Sequence, residues 1–148
     1  YSGALRAYAV MALYGGPIFT HEDGEQTRDF VSVHDVVDAH LTVLKNKKAD
    51  YEAFNVGSGK TTKLIDLAKT VAKQFDSPIK AKPSGHFRWS TTRHSPMDIS
   101  KLKNLGWKPR RTLEDNVKEY VSWVNQYSEA KKFLEKTDKD MRKTRLLF

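Results

Sequence analysis

The most restrictive feature of this sequence is a strand pattern, a glycine-rich turn and a helix pattern that follow one another between residues 53 and 75. Ala53-Phe54-Asn55-Val56 has the apolar character of a buried strand, and Gly57-Ser58-Gly59 then predicts a turn. We expect the following helix to be amphipathic and to be capped by Thr61 or Thr62. Its apolar residues recur at the spacing of one helical face: Leu64, Ile65, Leu67, Ala68, Val71, Ala72 and Phe75.

The same strand, turn and helix could form the phosphate loop of a nucleotide-hydrolysing enzyme, because Lys60 and Thr61 follow Gly59. In such a loop backbone N–H groups surround a phosphate, the lysine lies beside its charge and the threonine binds magnesium. The motif needs a glycine five residues before Gly59, but Phe54 stands there. Phenylalanine does not readily adopt glycine's conformation, so the spacing favours a structural turn.

The residues before this unit alternate between helix and strand patterns. Residues 4–14 predict a helix that ends at Gly15-Gly16-Pro17, residues 17–20 predict a short strand, and residues 21–24 predict a turn. Residues 28–33 alternate like a strand, and from His34 the apolar period becomes that of a helix. The predicted inward face of this helix consists of Val36, Val37, His40, Leu41, Val43 and Leu44.

The carboxyl-terminal part predicts an edge strand at residues 79–82, a short helix capped by Asp98, and a longer helix. The longer helix opens with a capping box, Thr112-Leu113-Glu114-Asp115, and is predicted to run to Tyr127. Its predicted inner residues are Val117, Tyr120, Val121 and Val124. We therefore divide the chain into a main portion, residues 1–127, and a charged helical tail, residues 128–148.

Composition excludes several classes of site. The 148 residues contain no cysteine, which excludes disulfides, thiolate metal sites and a cysteine nucleophile. No apolar run approaches the roughly 20 residues of a membrane span, and the five histidines lack metal-ligand spacing. We expect a cytoplasmic protein with no metal site. Since Tyr1 lies in a helix-forming stretch, we also expect the chain to be part of a longer protein.

Positive charge is concentrated between residues 80 and 111. The whole chain has a formal charge of +8, and this segment contains nine basic residues against a single acidic one, Asp98. Such an excess predicts contact with an anion. Arg88 and Arg93 lie among aromatic and hydroxyl residues, a setting in which planar guanidinium groups suit phosphate. A basic module that binds nucleic acid is an alternative interpretation of the same charge.

Three blocks of sequence resemble one family in the same order. Residues 24–36, GEQTRDFVSVHDV, resemble the G-x-Q-x-R-D-(F/Y)-(V/I)-x-V-x-D-(V/L) signature of extended short-chain dehydrogenases that act on nucleotide sugars. Residues 54–59, FNVGSG, resemble their (Y/F)-N-(V/L)-G-x-G strand and turn. Residues 93–109 are similar to their R-H-x-x-x-D-x-S-K and L-G-(W/F)-x-P ending. The chain thus resembles the NAD-dependent nucleotide-sugar epimerases and dehydratases, above all the UDP-glucose 4-epimerase-like members.

The resemblance extends from residue 1 to about residue 124 and implies the carboxyl-terminal half of the family fold. That half is α/β: the last strands and helices of a Rossmann-type sheet, plus a small α/β domain that binds substrate. In the family, NAD takes a hydride from the sugar, commonly at C4, and the tyrosine of a Tyr-x-x-x-Lys motif removes the hydroxyl proton. The resemblance places these groups outside this sequence, so we expect no catalytic residue and no cofactor in this chain alone.

Tyr127 and Lys131 have the catalytic Tyr-x-x-x-Lys spacing. They lie where the last predicted helix meets the charged tail, without an upstream cofactor loop, so the spacing is better explained by chance.

Five substrate-binding residues are implied by position in the family pattern. Arg28 and Arg88 correspond to arginines that contact the diphosphate, and Phe30 corresponds to an aromatic residue beside the nucleotide. Thr91 stands where the family has an aspartate that accepts a ribose hydroxyl, so a weaker contact is expected there. Lys60 lies where the family loop approaches the base.

The residue types also allow structural roles at these positions. Arg28 could form a salt bridge with Asp29 or Asp35, and Phe30 could be an ordinary core residue. Asn55 is better explained as a turn-forming residue than as a ligand.

The resemblance therefore implies the substrate-binding part of an NAD-dependent epimerase acting at C4 of a UDP- or dTDP-sugar. A nucleotide-sugar 4,6-dehydratase of the same family is the alternative, and the nucleic-acid-binding module and the phosphate-loop hydrolase are alternatives from other classes. The implied partner is a nucleotide diphosphate sugar, with no nucleic acid and no membrane. A homodimer is one assembly open to the complete enzyme.

Overall fold

The computed structural model describes residues 3–75, 79–127, 136, 139–140 and 142–144, and in it short helices are interspersed with very short strands. The helices of this part are α1 (Ala4–Leu13), α2 (Val33–Leu44), α3 (Leu64–Ala72), α4 (Ser100–Lys103) and α5 (Leu113–Val124). The strands are β1 (Ile18–Thr20), β2 (Thr27–Arg28), β3 (Thr62–Lys63), β4 (Ala81–Pro83) and β5 (His94–Ser95). A 3-10 turn covers Lys47–Ala49. The predicted α/β class is confirmed.

Two small sheets connect distant parts of the sequence. β1 pairs in parallel with β4, with Ile18 opposite Ala81. β2 lies between β3, which is antiparallel to it, and β5, which is parallel to it. Arg28 is opposite Thr62 on one side and Ser95 on the other. The second sheet therefore brings the residues after the glycine turn and the residues before β5 to the two sides of Arg28.

The main core is formed by α1, α3 and α5, whose buried faces meet each other. Leu67, Val71 and Val117 have no exposed surface, and Val121 and Val124 are also buried. These are the residues that helical periodicity selects, and burying each such side chain stabilises the fold by about 1.5–3 kcal/mol. The predicted inner faces of α3 and α5 are confirmed, with Tyr120 packed at the edge of the core.

A second, smaller core holds α2 against α4 and the segment that leads into α5. Ala39 of α2 packs with Ile99, Leu102 and Trp107. Asp35, which is only 1% exposed, accepts two backbone N–H groups at Oδ2, from Arg110 at 3.2 Å and Arg111 at 3.1 Å. The Arg111 guanidinium donates to Oδ1 at 2.9 Å, and the Trp107 indole donates to the Asp35 carbonyl at 3.2 Å. The start of α2 is thereby tied to the start of α5.

Two predicted helix starts are present. The Asp115 N–H donates to the Thr112 hydroxyl at 3.1 Å, and the Thr112 N–H donates back to the Asp115 carboxylate at 2.8 Å. The backbone hydrogen bond from Thr112 lowers the pKa of Asp115. At α4 the Ser100 N–H donates to Asp98 at 2.9 Å, and that bond lowers the pKa of Asp98. Asp98 acts as predicted, although Ile99 occupies the N-cap position itself.

Several local predictions are wrong. Residues 53–56 form no strand in the described part of the chain. The strand predicted at residues 28–33 ends at Arg28, because Ser32 caps α2 through the His34 N–H. Thr62 lies in β3 and the N-cap of α3 is Lys63, which makes no side-chain bond there. The last helix ends at Val124, and the predicted tail, with Lys131, falls mostly outside the described residues.

The predicted inward face of α2 is wrong for four of its six residues, although Val43 does pack against the second core and Val36 is half-buried. Val37, Leu41 and Leu44 are exposed, as is His40, whereas Asp35 and Ala39 are buried. The physical reason is the set of hydrogen bonds to Asp35, which turns the opposite side of the helix inward.

Of the described helices, none is long and apolar enough to cross a membrane.

Removing the Asp35 carboxylate should destabilise the fold strongly. In Asp35→Ala two backbone N–H groups and the Arg111 guanidinium lose their partner, so we expect the free energy of unfolding to fall by about 3 kcal/mol. Asp38→Ala is the matched control, because Asp38 is more exposed and lies 3.9 Å from the same guanidinium. It should cost less than about 1 kcal/mol. Urea unfolding followed by circular dichroism measures both, and equal losses would contradict this account.

Candidate functional site

The glycine-rich turn is closed by a carboxylate from another segment. Asp29, directly after β2, accepts the Ser58 N–H at 2.6 Å and the Gly59 N–H at 2.8 Å. Gly59 has a φ of +69°, a conformation that favours glycine. A Cβ on Gly57 would lie 2.7 Å from Met97 Cγ and 2.8 Å from Asp29 Oδ2. The positive φ therefore explains Gly59, and close packing explains Gly57.

This geometry does not fit a phosphate, either in a nucleoside triphosphate or in the pyrophosphate of NAD. A phosphate loop needs free backbone N–H groups, but those of Ser58 and Gly59 are already bonded to Asp29, and a second anion would be repelled. The structural-turn interpretation is supported. In the part of the chain that the structure describes, no group of three or more His, Asp or Glu side chains is placed to hold a metal.

Arg28 lies in the centre of the three-stranded sheet and its guanidinium is anchored at one nitrogen. Nη1 donates to the Thr27 carbonyl at 2.7 Å and to the Arg93 carbonyl at 3.2 Å. Neither Asp29 nor Asp35 pairs with Arg28: Asp29 binds the glycine turn and Asp35 binds Arg111. The salt-bridge alternative for Arg28 is therefore wrong.

The charge of the Arg28 guanidinium influences the pKa of a buried tyrosine in α1, Tyr8. Burial raises the pKa of Tyr8, and the positive charge of Arg28 opposes part of that increase. The charge of Arg28 is therefore close enough to α1 to act on Tyr8.

The other implied site residues lie in different surroundings. Arg88 and Thr91 are half-buried in the irregular segment before β5, and Arg88 is flanked by Phe87 and Trp89, whose rings are 6.2 Å apart in an edge-to-face arrangement. Phe30 is half-buried and packs against the main core. Lys60 follows the glycine turn with an exposed side chain, and its N–H donates to the Ser58 hydroxyl at 3.1 Å. The sheet brings Arg28 close to the Arg93 backbone, but no contact within the described residues joins Arg28 to Arg88.

Three of the nine cations in residues 80–111 are paired with carboxylates of the chain. Arg93 donates to Glu22 at 2.9 Å and to Asp23 at 2.6 Å. Lys101 pairs with Glu52 at 2.5 Å, and Arg111 pairs with Asp35. The hydrogen bond from Arg93 lowers the pKa of Asp23, so this pair persists until the pH falls below the usual carboxyl range. Arg93 therefore joins the segment before β5 to the turn after β1, a role that the sequence analysis did not assign.

Two further carboxylates were missed as site-forming residues, Asp29 and Asp35. Both lie in the R-D-F-V-x-V-x-D block, but their partners are 29–30 and 72–76 residues away. No local pattern could identify such partners.

Substituting Gly57 tests whether the turn is a packing feature. In Gly57→Ala the new methyl group overlaps Met97 and Asp29, so the free energy of unfolding should fall by about 2 kcal/mol. Gly16→Ala is the control, since its Cβ would meet only the Met11 carbonyl at 3.5 Å, and its effect should stay below about 0.5 kcal/mol. Thermal melts followed by circular dichroism measure both changes. A neutral Gly57→Ala variant would contradict the packing explanation.

The family match and the similar curated proteins agree with one another. Residues 2–57 match the NAD dependent epimerase/dehydratase family. The dTDP-L-rhamnose 4-epimerase of Burkholderia thailandensis is 36% identical over 132 residues, which are 88% of this chain and 36% of that protein. The human dTDP-D-glucose 4,6-dehydratase is 30% identical over 118 residues, covering 72% of this chain and 32% of that protein.

A solved structure shares both sequence and fold. UDP-glucose 4-epimerase from Thermotoga maritima, in a structure with UDP-glucose, is 32% identical and superposes with a TM-score of 0.69 over 84% of this chain and 40% of that one. The chain spans about a third of the length of the curated relatives named above. From the family match, the relatives and the shared fold, this chain belongs to the extended short-chain dehydrogenase family of NAD-dependent nucleotide-sugar epimerases and dehydratases and corresponds to a carboxyl-terminal part of its members.

Proposed function

We propose that this chain is the nucleotide-sugar-binding part of an NAD-dependent epimerase that acts at C4 of a UDP- or dTDP-sugar. Similarity to 4-epimerases from Burkholderia thailandensis and Thermotoga maritima supports the epimerase assignment. Similarity to the human 4,6-dehydratase supports a dehydratase as the second candidate. A cytoplasmic location is part of the same proposal.

The observation that carries the proposal is the anchoring of Arg28. Carbonyl groups of Thr27 and Arg93 hold Nη1, while Nε and Nη2 have no partner among the described residues. A guanidinium held in this way keeps an edge available for two parallel hydrogen bonds to a phosphate. Its orientation is set before the ligand binds, which reduces the entropy lost on binding.

Arg88 supplies the second cation of the proposed site. Within the described ranges its guanidinium has no ion pair or hydrogen bond, in contrast to Arg93 five residues later. A diphosphate carries about two negative charges, and two arginines on separate segments would hold it more specifically than solvated lysines. Phe30, Thr91 and Lys60 complete the proposed site beside the nucleotide, the ribose and the base.

In this proposal the chain binds and orients the substrate, and residues outside it bind NAD. The turn closed by Asp29 gives no phosphate-binding amides, so the described residues offer no dinucleotide loop of that kind. No step of hydride transfer is assigned to any residue of this chain.

The nucleic-acid alternative loses support from the ion pairs. Arg93, Lys101 and Arg111 are three of the nine cations in residues 80–111, and each has a carboxylate partner in the chain. Binding of a polyanion through this segment would have to compete with those contacts.

Arginine substitutions test the proposed diphosphate site. A charge-assisted hydrogen bond contributes about 1.5–3 kcal/mol, so Arg28→Ala and Arg88→Ala should each weaken binding of UDP-glucose or dTDP-L-rhamnose about ten- to a hundredfold. Arg28→Lys should recover little of this loss, because it keeps the charge but not the planar geometry. Lys108→Ala, an exposed cation of the same basic segment, should leave the affinity unchanged. Isothermal titration calorimetry gives the dissociation constants.

The double variant Arg28→Ala/Arg88→Ala decides whether the two arginines share one ligand. Since both would bind the same diphosphate, their effects should be non-additive by at least about 0.5 kcal/mol in a double-mutant cycle. Strict additivity, or wild-type affinity in either single variant, would reject the shared site.

The isolated 148-residue chain should neither bind NAD nor convert nucleotide sugars. The reason is that the proposed NAD site lies outside it. Equilibrium dialysis against NAD and a turnover assay with UDP-glucose provide the measurements. Stoichiometric NAD in this chain alone would overturn the assignment.

A further inference from the structure

The segment between β4 and β5 begins on the turn that follows β1. In that turn the Glu22 N–H donates to the His86 carbonyl at 2.9 Å, and the Gly85 N–H donates to the Glu22 carbonyl at 3.2 Å. Glu22 has a φ of +49°, a conformation that is uncommon for a residue other than glycine. A fold retains such a conformation where the surrounding contacts determine it. The turn is therefore fixed against residues 85–86.

The same segment also ends on this turn. The Arg93 guanidinium donates to Glu22 Oε2 at 2.9 Å and to Asp23 Oδ2 at 2.6 Å. One arginine thus joins two consecutive carboxylates through two different nitrogens. Residues 87–92, which include Arg88, form a loop with both of its ends attached to the turn after β1.

The backbone of Arg93 reaches the other arginine of the proposed site. Its carbonyl group accepts the Thr27 N–H at 3.0 Å and the Arg28 Nη1 at 3.2 Å. A substitution of the Arg93 side chain leaves this carbonyl in the chain and changes how firmly it is held. The ion pairs of Arg93 therefore bear on the orientation of Arg28 as well as on the loop of Arg88.

From these contacts we propose that Arg93 is a positioning residue of the diphosphate site, held by Glu22 and Asp23 so that Arg28 and Arg88 are presented together. Its carbonyl orients Arg28, and its ion pairs close the loop that carries Arg88. Its own charge is taken up by the two carboxylates and does not bind the phosphate. A site ordered in this way before the ligand arrives loses less entropy on binding. The inference rests on the proposed function, because it explains how that site is assembled.

Neutralising the two carboxylates tests the sign of the effect. If Arg93 bound the diphosphate itself, Glu22→Gln/Asp23→Asn would strengthen anion binding, because it removes two negative charges beside a cation. A positioning role predicts the opposite. We expect isothermal titration calorimetry to show UDP-glucose binding weakened by at least about threefold. Unchanged or tighter binding would overturn the proposal.

Glu25→Gln is the matched control. It removes a negative charge from the same stretch between β1 and β2, but Glu25 pairs with Lys63 at 2.6 Å and not with the loop of Arg88. Its affinity for UDP-glucose should stay within about 1.5-fold of wild type. An equal loss in this control would show that the charge of the stretch, and not the contacts of Arg93, controls binding, which would also overturn the proposal.

A double-mutant cycle tests whether Arg93 acts through these carboxylates. Exposed ion pairs are individually weak, so Arg93→Met should reduce UDP-glucose affinity moderately, by about three- to tenfold. Arg93→Lys should recover part of the loss, because it keeps the charge but not the fork that reaches both carboxylates. In the Glu22→Gln/Asp23→Asn background Arg93→Met should have little further effect. The same loss in both backgrounds would reject the positioning role.

Amide hydrogen exchange measured by NMR tests the inference without any ligand. The Thr27 N–H donates to the Arg93 carbonyl, so its exchange should become at least about fivefold faster in Arg93→Met. The amide of Val71, which lies in the main core, should exchange as in wild type. Unchanged exchange at Thr27, or equal acceleration at Val71, would overturn the proposal. The proposed function itself fails if Arg28→Ala and Arg88→Ala retain wild-type affinity, so the two failures are distinguishable.

Discussion

The arrangement of the chain depends on one buried carboxylate, that of Asp35. Three hydrogen bonds join this carboxylate to Arg110 and Arg111, and a fourth joins the backbone carbonyl of Asp35 to Trp107. These bonds fix the rotation of α2 and place the residues that precede Thr112, where α5 begins. α5 then completes the main core with α1 and α3. Since a buried carboxylate without partners is strongly unfavourable, only conformations that bring these segments together are stable.

Features that depend on neighbouring residues were predictable from the sequence, and features that depend on distant contacts were not. The inner faces of α3 and α5 and the Thr112–Asp115 capping box follow from local spacing. The rotation of α2 does not, because apolar residues on its two sides compete and the contacts of Asp35 decide between them. Residues 53–56 have a strand's composition, but a strand requires a hydrogen-bonded neighbour, which the described chain does not provide.

The same limit applies to charge in the candidate site, because the sequence gives the number of cations but not their partners. Counting residues correctly found the excess of cations at residues 80–111. The count could not distinguish Arg93, which is paired, from Arg88, which has no partner among the residues that the structure describes. The resemblance identified Arg28, while only the fold shows that carbonyl groups hold its Nη1. Likewise, spacing alone favoured a structural turn at Gly57, and the fold supplied the reason, the carboxylate of Asp29.

The bond between Asp29 and the glycine turn also fixes the alignment of β2. This strand has only two residues, and a ladder so short offers little resistance to slipping. Arg28 and Asp29 are consecutive, so a slip of one residue would exchange a cation for an anion at the proposed diphosphate position. Two contacts prevent this slip, one on each side of Arg28. Asp29 is bonded to the glycine turn, and the Leu64 N–H donates to the Gln26 carbonyl. Because β2 cannot slip, an insertion or deletion in the loop between β1 and β2 has to be accommodated within that loop, where Gly24 and Gln26 are buried.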